Sequence, residues 1–212
     1  MITRVKICGI TRREDAEAAS NEGATAIGFI FVRNSPRYID PDAARDIIHT
    51  LPPFVTPVGV LVNSSRSEAL ALVANTGVRC LQLHEQQHPE EFGDFPVPYY
   101  RVFRVSLEFR IDQLKAVQGT TFMLDTFVEG KLGGSGKSFD WKVAVQAKKH
   151  GRVILSGGLN PENVGDAIRR VSPYAIDVSS GVEKTPGKKD EDKIRLLFRA
   201  IHDADRSVAT AT

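Results

Sequence analysis

At 212 residues the chain fits one domain with a continuous buried core, and 28 basic against 26 acidic residues leave a formal charge of +2, which excludes a strong general attraction to nucleic acid or an anionic membrane. Two cysteines, Cys8 and Cys80, provide no disulfide framework and suit a reducing compartment. Arg4 and Lys6 interrupt the first ten residues, so the apolar core of a signal peptide is missing, and no other apolar run reaches membrane-spanning length; a cytoplasmic location is expected, without nucleic acid, membrane or an evident obligate protein partner.

Runs rich in Val, Ile and Phe alternate with amphipathic stretches, the pattern of parallel strands joined by crossover helices. In chain order the expected strands are Arg4–Cys8, Ala26–Val32, Pro57–Val62, Arg79–His84, Tyr100–Val105, Phe122–Asp125, Arg152–Ser156 and Ala175–Ser179. Seven helices are expected between them and an eighth after the last. Thr11 precedes the first, Asp40-Pro41 opens the second and Asn160-Pro161-Glu162 opens the seventh, while Gly23, Gly77 and Gly151 stand where helices should stop. The fourth is expected to be abbreviated, because Pro89 to Asp94 leaves barely a turn before Pro96 and Pro98. Gly130 to Gly136 reads as a mobile loop in the sixth connection, and Ser207 to Thr212 as a frayed tail following a domain of residues 1–206. A doubly wound open sheet shares this alternation. Eight units favour a single α/β barrel of the (β/α)8 TIM type, with function at the C-terminal strand ends.

Those ends carry Cys8-Gly9, Asn63, His84, Asp125, Gly157-Gly158 and Ser179-Ser180-Gly181, with Arg37 in the second loop. Side chains alternate along a strand, so Lys6 and Cys8 share a face, as do Gln82 and His84, Met123 and Asp125, and Asp177 and Ser179. The eighth strand closes against the first, so Lys6 is expected to neutralise Asp177 across that seam. Cys8 reads either as a small core residue or as a reactive thiol; at an ordinary pKa of about 8.5 only about 3% is thiolate at pH 7, and Lys6 is expected to help ionise it. Cys80, near the start of its strand, reads as core and too far from Cys8 for a disulfide.

Asp125 ends an apolar run. A capping role does not suit it, because the next helix is expected only near Asp140; as a general acid it needs a proton near neutral pH, favoured by burial and a nearby thiolate. The turns at Gly157-Gly158 and Ser180-Gly181 follow strands seven and eight, where barrels often bind phosphate through backbone N–H groups; taken alone, either reads equally as a tight turn or a phosphate site, and the pair favours phosphate. Arg37 offers a planar fork for a substrate carboxylate, or is a solvated loop arginine. Gly130 to Ser138 misses the P-loop spacing by one residue, and His84 with His88 lacks the helical setting of a zinc pair, so no metal is expected.

Together, Lys6-Ile7-Cys8-Gly9-Ile10-Thr11, Ser35-Pro36-Arg37, Leu81-Gln82-Leu83-His84, Leu124-Asp125, Gly133-Gly134-Ser135-Gly136, Gly157-Gly158-Leu159-Asn160-Pro161-Glu162-Asn163 and Asp177-Val178-Ser179-Ser180-Gly181-Val182-Glu183 resemble phosphoribosylanthranilate isomerase along the whole chain. The resemblance implies the Amadori rearrangement of N-(5-phosphoribosyl)anthranilate, a small-molecule sugar phosphate, in tryptophan biosynthesis, with no metal or redox cofactor. It implies Asp125 as general acid at the ring oxygen, Cys8 as general base at C2, Arg37 at the anthranilate carboxylate, phosphate at Gly157, Gly158, Ser180 and Gly181, and supporting roles for His84 and Asp177. Glu85 departs from the glycine that usually follows the histidine in this family, and it is expected to face solvent. Other sugar-phosphate isomerases and epimerases of this architecture use paired aspartates, which a cysteine on strand one argues against. A noncatalytic phosphate-binding barrel would have no reason to keep both Cys8 and Asp125.

Overall fold

The computed structural model describes residues 2–84, 89–117, 119–126 and 140–210. The expectations for Glu85, His88 and the loop from Gly130 to Gly136 lie outside these residues. Eight strands close into a parallel barrel in chain order: β1 Arg4–Cys8, β2 Ala26–Ile30, β3 Thr56–Val62, β4 Cys80–His84, β5 Tyr99–Val105, β6 Thr121–Thr126, β7 Arg152–Leu155 and β8 Ala175–Val178. The open-sheet alternative is thereby excluded, since β8 pairs with β1 in a register that sets Lys6 beside Asp177.

Alternation sorts the side chains as expected. Val5 and Ile7 face outward into the main core with the helix residues Ala16, Ala19, Phe198 and Ile201. Inside the barrel, Val58, Tyr100, Met123, Ile154 and Ala175 form a separate apolar plug, with Cys80 packed against it. Above this plug the interior becomes polar. Lys6, Gln82, Asp125 and Asp177 are all buried there. Gly28 on β2 makes room for the first strand's polar pair: a Cβ would fall 2.8 Å from Cys8 Sγ and 2.9 Å from Lys6 Nζ.

The helices are α1 Arg13–Glu22, α2 Pro41–Ile48, α3 Arg66–Thr76, α4 Lys142–Ala147, α5 Val164–Val171 and α6 Glu191–Thr210. Asp40 caps α2 by accepting from the Asp42 N–H at 2.9 Å. Thr11 does not cap α1; its hydroxyl donates to the Gly187 carbonyl. Gly23 and Gly77 end α1 and α3 in the left-handed conformation. Gly151 is not a cap of this kind, and a Cβ there would lie 2.2 Å from the Thr120 carbonyl oxygen.

Among its described residues the fourth connection carries one 3₁₀ turn, Pro89–Phe92, abbreviated as its prolines imply. The fifth is also 3₁₀, Ile111–Val117, where a full helix was expected. Its inward residues Ile111, Leu114 and Val117 recur every three positions, the repeat of a 3₁₀ rather than an α-helix. After β8 a 3₁₀ turn, Ser180–Val182, leads into a small hairpin, β9 Glu183–Thr185 and β10 Lys188–Lys189, before α6.

The last helix runs to Thr210, into the segment expected to fray. Asp205 on this helix accepts from both the Thr3 N–H at 2.8 Å and the Thr3 hydroxyl at 2.6 Å, clamping the start of β1 to the end of the chain. Asp205→Ala strands both donors and is expected to cost about 1–3 kcal/mol. Urea unfolding followed by circular dichroism reads this as a lower midpoint with the slope retained.

Candidate active site

The C-terminal strand ends enclose a cavity that opens to solvent. Its wall carries Cys8, Arg37, His84, Asp125, Asp177, Gly157, Gly158 and Ser180. Gly181 is not on the wall. A Cβ there would fall 1.9 Å from the Leu159 carbonyl oxygen, so this glycine lets the loop after β8 rest on the loop after β7.

The glycine turn after β7 has its own support. Gly157 and Gly158 have φ of 89° and 66°, in the region where L side chains are strained. Asn163 Nδ2 donates to the Gly158 carbonyl at 2.9 Å, and Asn163 Oδ1 accepts from the Asn160 N–H at 2.9 Å. Asn160 Oδ1 in return accepts from the Asn163 N–H at 3.1 Å, so the turn before α5 and the glycine pair hold one shape. Ser179 Oγ, from another lining residue, is buried without a hydrogen-bond partner among the described residues.

Lys6 and Asp177 form the expected ion pair, Nζ to Oδ1 at 2.7 Å, both buried. Burial alone would lower the Lys6 pKa, but Asp177 and other neighbours hold it well above its ordinary value. Burial pushes the Cys8 thiol up; Lys6 pulls it down and Asp177 adds to the rise. The expected help from Lys6 therefore has the right sign but is outweighed, first by burial and then by the Asp177 carboxylate.

Asp125 is pushed up to about 6, first by burial and then by repulsion from Asp177. The raised value matches the need of a general acid, although the second carboxylate, rather than a thiolate, is the charge that assists burial. The Thr126 N–H at 2.8 Å, the Arg104 cation and the Ser156 hydroxyl act in the opposite direction.

His84 stands at the end of a buried chain. Tyr100 donates its hydroxyl to Gln82 Oε1 at 2.9 Å, and Gln82 Nε2 lies 2.7 Å from His84 Nε2. With the amide donating, Nε2 accepts and the imidazole proton resides on Nδ1, which has no partner among the described residues. Burial, then the Arg104 and Lys6 cations, push the His84 pKa down to about 3. The ring is thus a neutral donor on the cavity wall.

Arg37 is buried rather than solvated, with its guanidinium bound to Glu183. Glu183, its neighbour Lys189, Ser156 and Tyr100 were not singled out by sequence reasoning. Strand parity could have found Ser156, which continues the pairing of Leu155 with Ile176 and donates to Asp177 Oδ2 at 3.3 Å. No local signal marks Glu183 as the partner of an arginine so distant in sequence. Among the described residues no cluster of three or more His, Cys, Asp or Glu is arranged to hold a metal ion, and none of the helices is long and apolar enough to cross a membrane.

Residues 5–200 match the family model for N-(5′-phosphoribosyl)anthranilate isomerase. The chain belongs to this family. An isomerase of that name from Prosthecochloris aestuarii is 44% identical over 214 residues, covering 96% of each chain. The crystal structure of phosphoribosyl anthranilate isomerase from Thermotoga maritima superposes with a TM-score of 0.88 at 40% identity, covering 95% of this chain and all of that one, 100%. A second isomerase structure, in complex with reduced 1-(o-carboxyphenylamino)-1-deoxyribulose 5-phosphate, gives a TM-score of 0.85 at 38% identity over 95% of this chain and 100% of that chain.

Two measurements check the electrostatics of this isomerase-family site. The native Asp125 carboxyl keeps its proton to about pH 6, whereas the unfolded one releases it near 3.8. The native state therefore binds more protons in that window, and the group's contribution to stability falls as pH rises from about 4 to about 6, by about 3 kcal/mol in all. Asp125→Asn, which does not titrate, is expected to be more stable than wild type at pH 7.5 by several degrees in thermal unfolding, with the advantage gone below pH 4. For His84, nitrogen NMR is expected to show a neutral imidazole protonated on Nδ1 down to about pH 4; titration near 6.5 would contradict the buried chain.

Proposed function

We propose that this chain converts N-(5-phosphoribosyl)anthranilate to 1-(2-carboxyphenylamino)-1-deoxyribulose 5-phosphate, the Amadori rearrangement of tryptophan biosynthesis, in the cytoplasm. Family membership supports the reaction. The observation that carries the assignment of roles is the placement of a buried carboxyl, raised to about 6, and a buried thiol on the wall of one cavity.

The sugar needs an acid at one oxygen and a base at one carbon while its far end is anchored. Asp125 donates its proton to the furanose ring oxygen, and the ring opens to a Schiff base. The Cys8 thiolate then takes the C2 proton, and the resulting enolamine tautomerises to the ketone. The phosphate sits against the Gly157-Gly158 turn and Ser180, with Gly181 allowing the two loops to meet. Arg37 holds the anthranilate carboxylate. His84 contributes the Nδ1 proton as a hydrogen-bond donor to the substrate, and Asp177 keeps Lys6 charged and in place beside the thiol.

This division uses a minority protonation state, since the productive enzyme has Asp125 protonated and Cys8 ionised although Asp125 is the stronger acid. The pH profile of kcat/KM is expected to be bell-shaped with an acid limb near 6. Loss of phosphoribosylanthranilate should be followed in wild type, Cys8→Ala and Asp125→Asn. Each variant is expected to lose roughly 10²–10⁴-fold in kcat, and the limb near 6 should vanish from the residual activity of Asp125→Asn. Full activity in both variants rejects the roles, and a correctly folded wild type without turnover rejects the function.

A further inference from the structure

The carboxylate of Glu183 is buried where the loops after β1, β2 and β8 meet. It accepts from Arg37 Nε at 2.9 Å and Arg37 Nη2 at 2.7 Å, from Lys189 Nζ at 2.8 Å and from the Gly187 N–H at 3.3 Å. Burial pushes its pKa up, yet the hydrogen bonds and charges of Arg37 and Lys189 outweigh burial and hold it below its ordinary value. The hairpin that carries it is itself fastened, since the Lys189 N–H donates to buried Asp15 at 3.0 Å and the Thr11 hydroxyl donates to the Gly187 carbonyl. The stem of Arg37 crosses Gly9, where a Cβ would fall 2.7 Å from Arg37 Cδ.

Two features of this arrangement bear on the substrate. One carboxylate stands between two cations, so the Glu183, Arg37 and Lys189 cluster keeps one positive charge beside the cavity. A guanidinium has five N–H donors in a planar fork. Glu183 occupies the edge made by Nε and Nη2, which leaves the edge made by Nη1 and Nη2 for a second planar anion.

Resting on the function proposed above, we infer that Glu183 is a positioning residue: it holds Arg37 by one edge so that the other edge meets the ring carboxylate of the substrate. It thereby sets the preference for a carboxylated aromatic amine over an uncharged one. An arginine fixed before the ligand arrives loses less freedom on binding, so the discrimination is built into the free protein. A Glu183 that merely stabilised the hairpin would affect every ligand of the cavity alike.

The test compares inhibition constants of two stable compounds, reduced 1-(2-carboxyphenylamino)-1-deoxyribulose 5-phosphate and the same molecule without the ring carboxylate. Wild type is expected to prefer the carboxylated compound by roughly tenfold or more. In Glu183→Gln that ratio is expected to fall at least about fivefold, while the constant for the compound without the carboxylate stays within about twofold. Glu183→Asp, which keeps the charge but draws it back by one methylene, gives the same reading if the first variant unfolds. An unchanged ratio, equal weakening of both compounds, or failure of both variants to fold overturns the inference. Absence of phosphoribosylanthranilate turnover by wild type would instead reject the function on which it rests.

Discussion

The ion pair between Lys6 and Asp177 spans the closing seam of the barrel and, after burial, shapes the electrostatics of the acid and the thiol above it. Both groups are buried, and their separation of 2.7 Å spans the seam between the first and last strands. Removing either partner alone would leave an uncompensated charge, a cost of about 3–5 kcal/mol in comparable buried pairs. The cavity above feels the field of both partners. Asp177 raises the acid at position 125, while Lys6 lowers the thiol at position 8 less than burial raises it.

Catalytic and structural demands thus meet in the same side chains. A carboxyl kept protonated near neutral pH is useful because it is unfavourably placed when ionised, and the fold tolerates that placement because Thr126 and Ser156 still hydrogen-bond it. His84 follows the same logic in reverse. Burial keeps it neutral, and the amide of Gln82, fixed by Tyr100, decides which nitrogen carries the proton.

Much of this is legible in the amino-acid sequence. The alternation of apolar runs predicts eight strands, and parity within them places Lys6, Cys8, Asp125 and Asp177 on the inner face. Closure then makes the Lys6–Asp177 contact an arithmetical consequence of strand order. What escaped had physical reasons. The fifth connection has an apolar repeat of three that reads as a helix until its turn is counted. The α1 start looked capped by Thr11 because the hydroxyl's true acceptor, the Gly187 carbonyl, lies far along the chain. Glu183 ends a recognisable motif, but its partner Arg37 is 146 positions away, and no local pattern encodes such a pairing.

That separation also bears on how the chain acquires activity as it is made. Arg37 emerges early in synthesis and Glu183 near the end, so the counter-ion for a buried guanidinium is among the last groups to arrive. The hairpin that delivers it also fastens the loop after β1 through Thr11 and helix α1 through Asp15. A nascent chain ending before β9 could therefore contain every strand of the barrel and still lack the ordered rim that grips an aromatic acid.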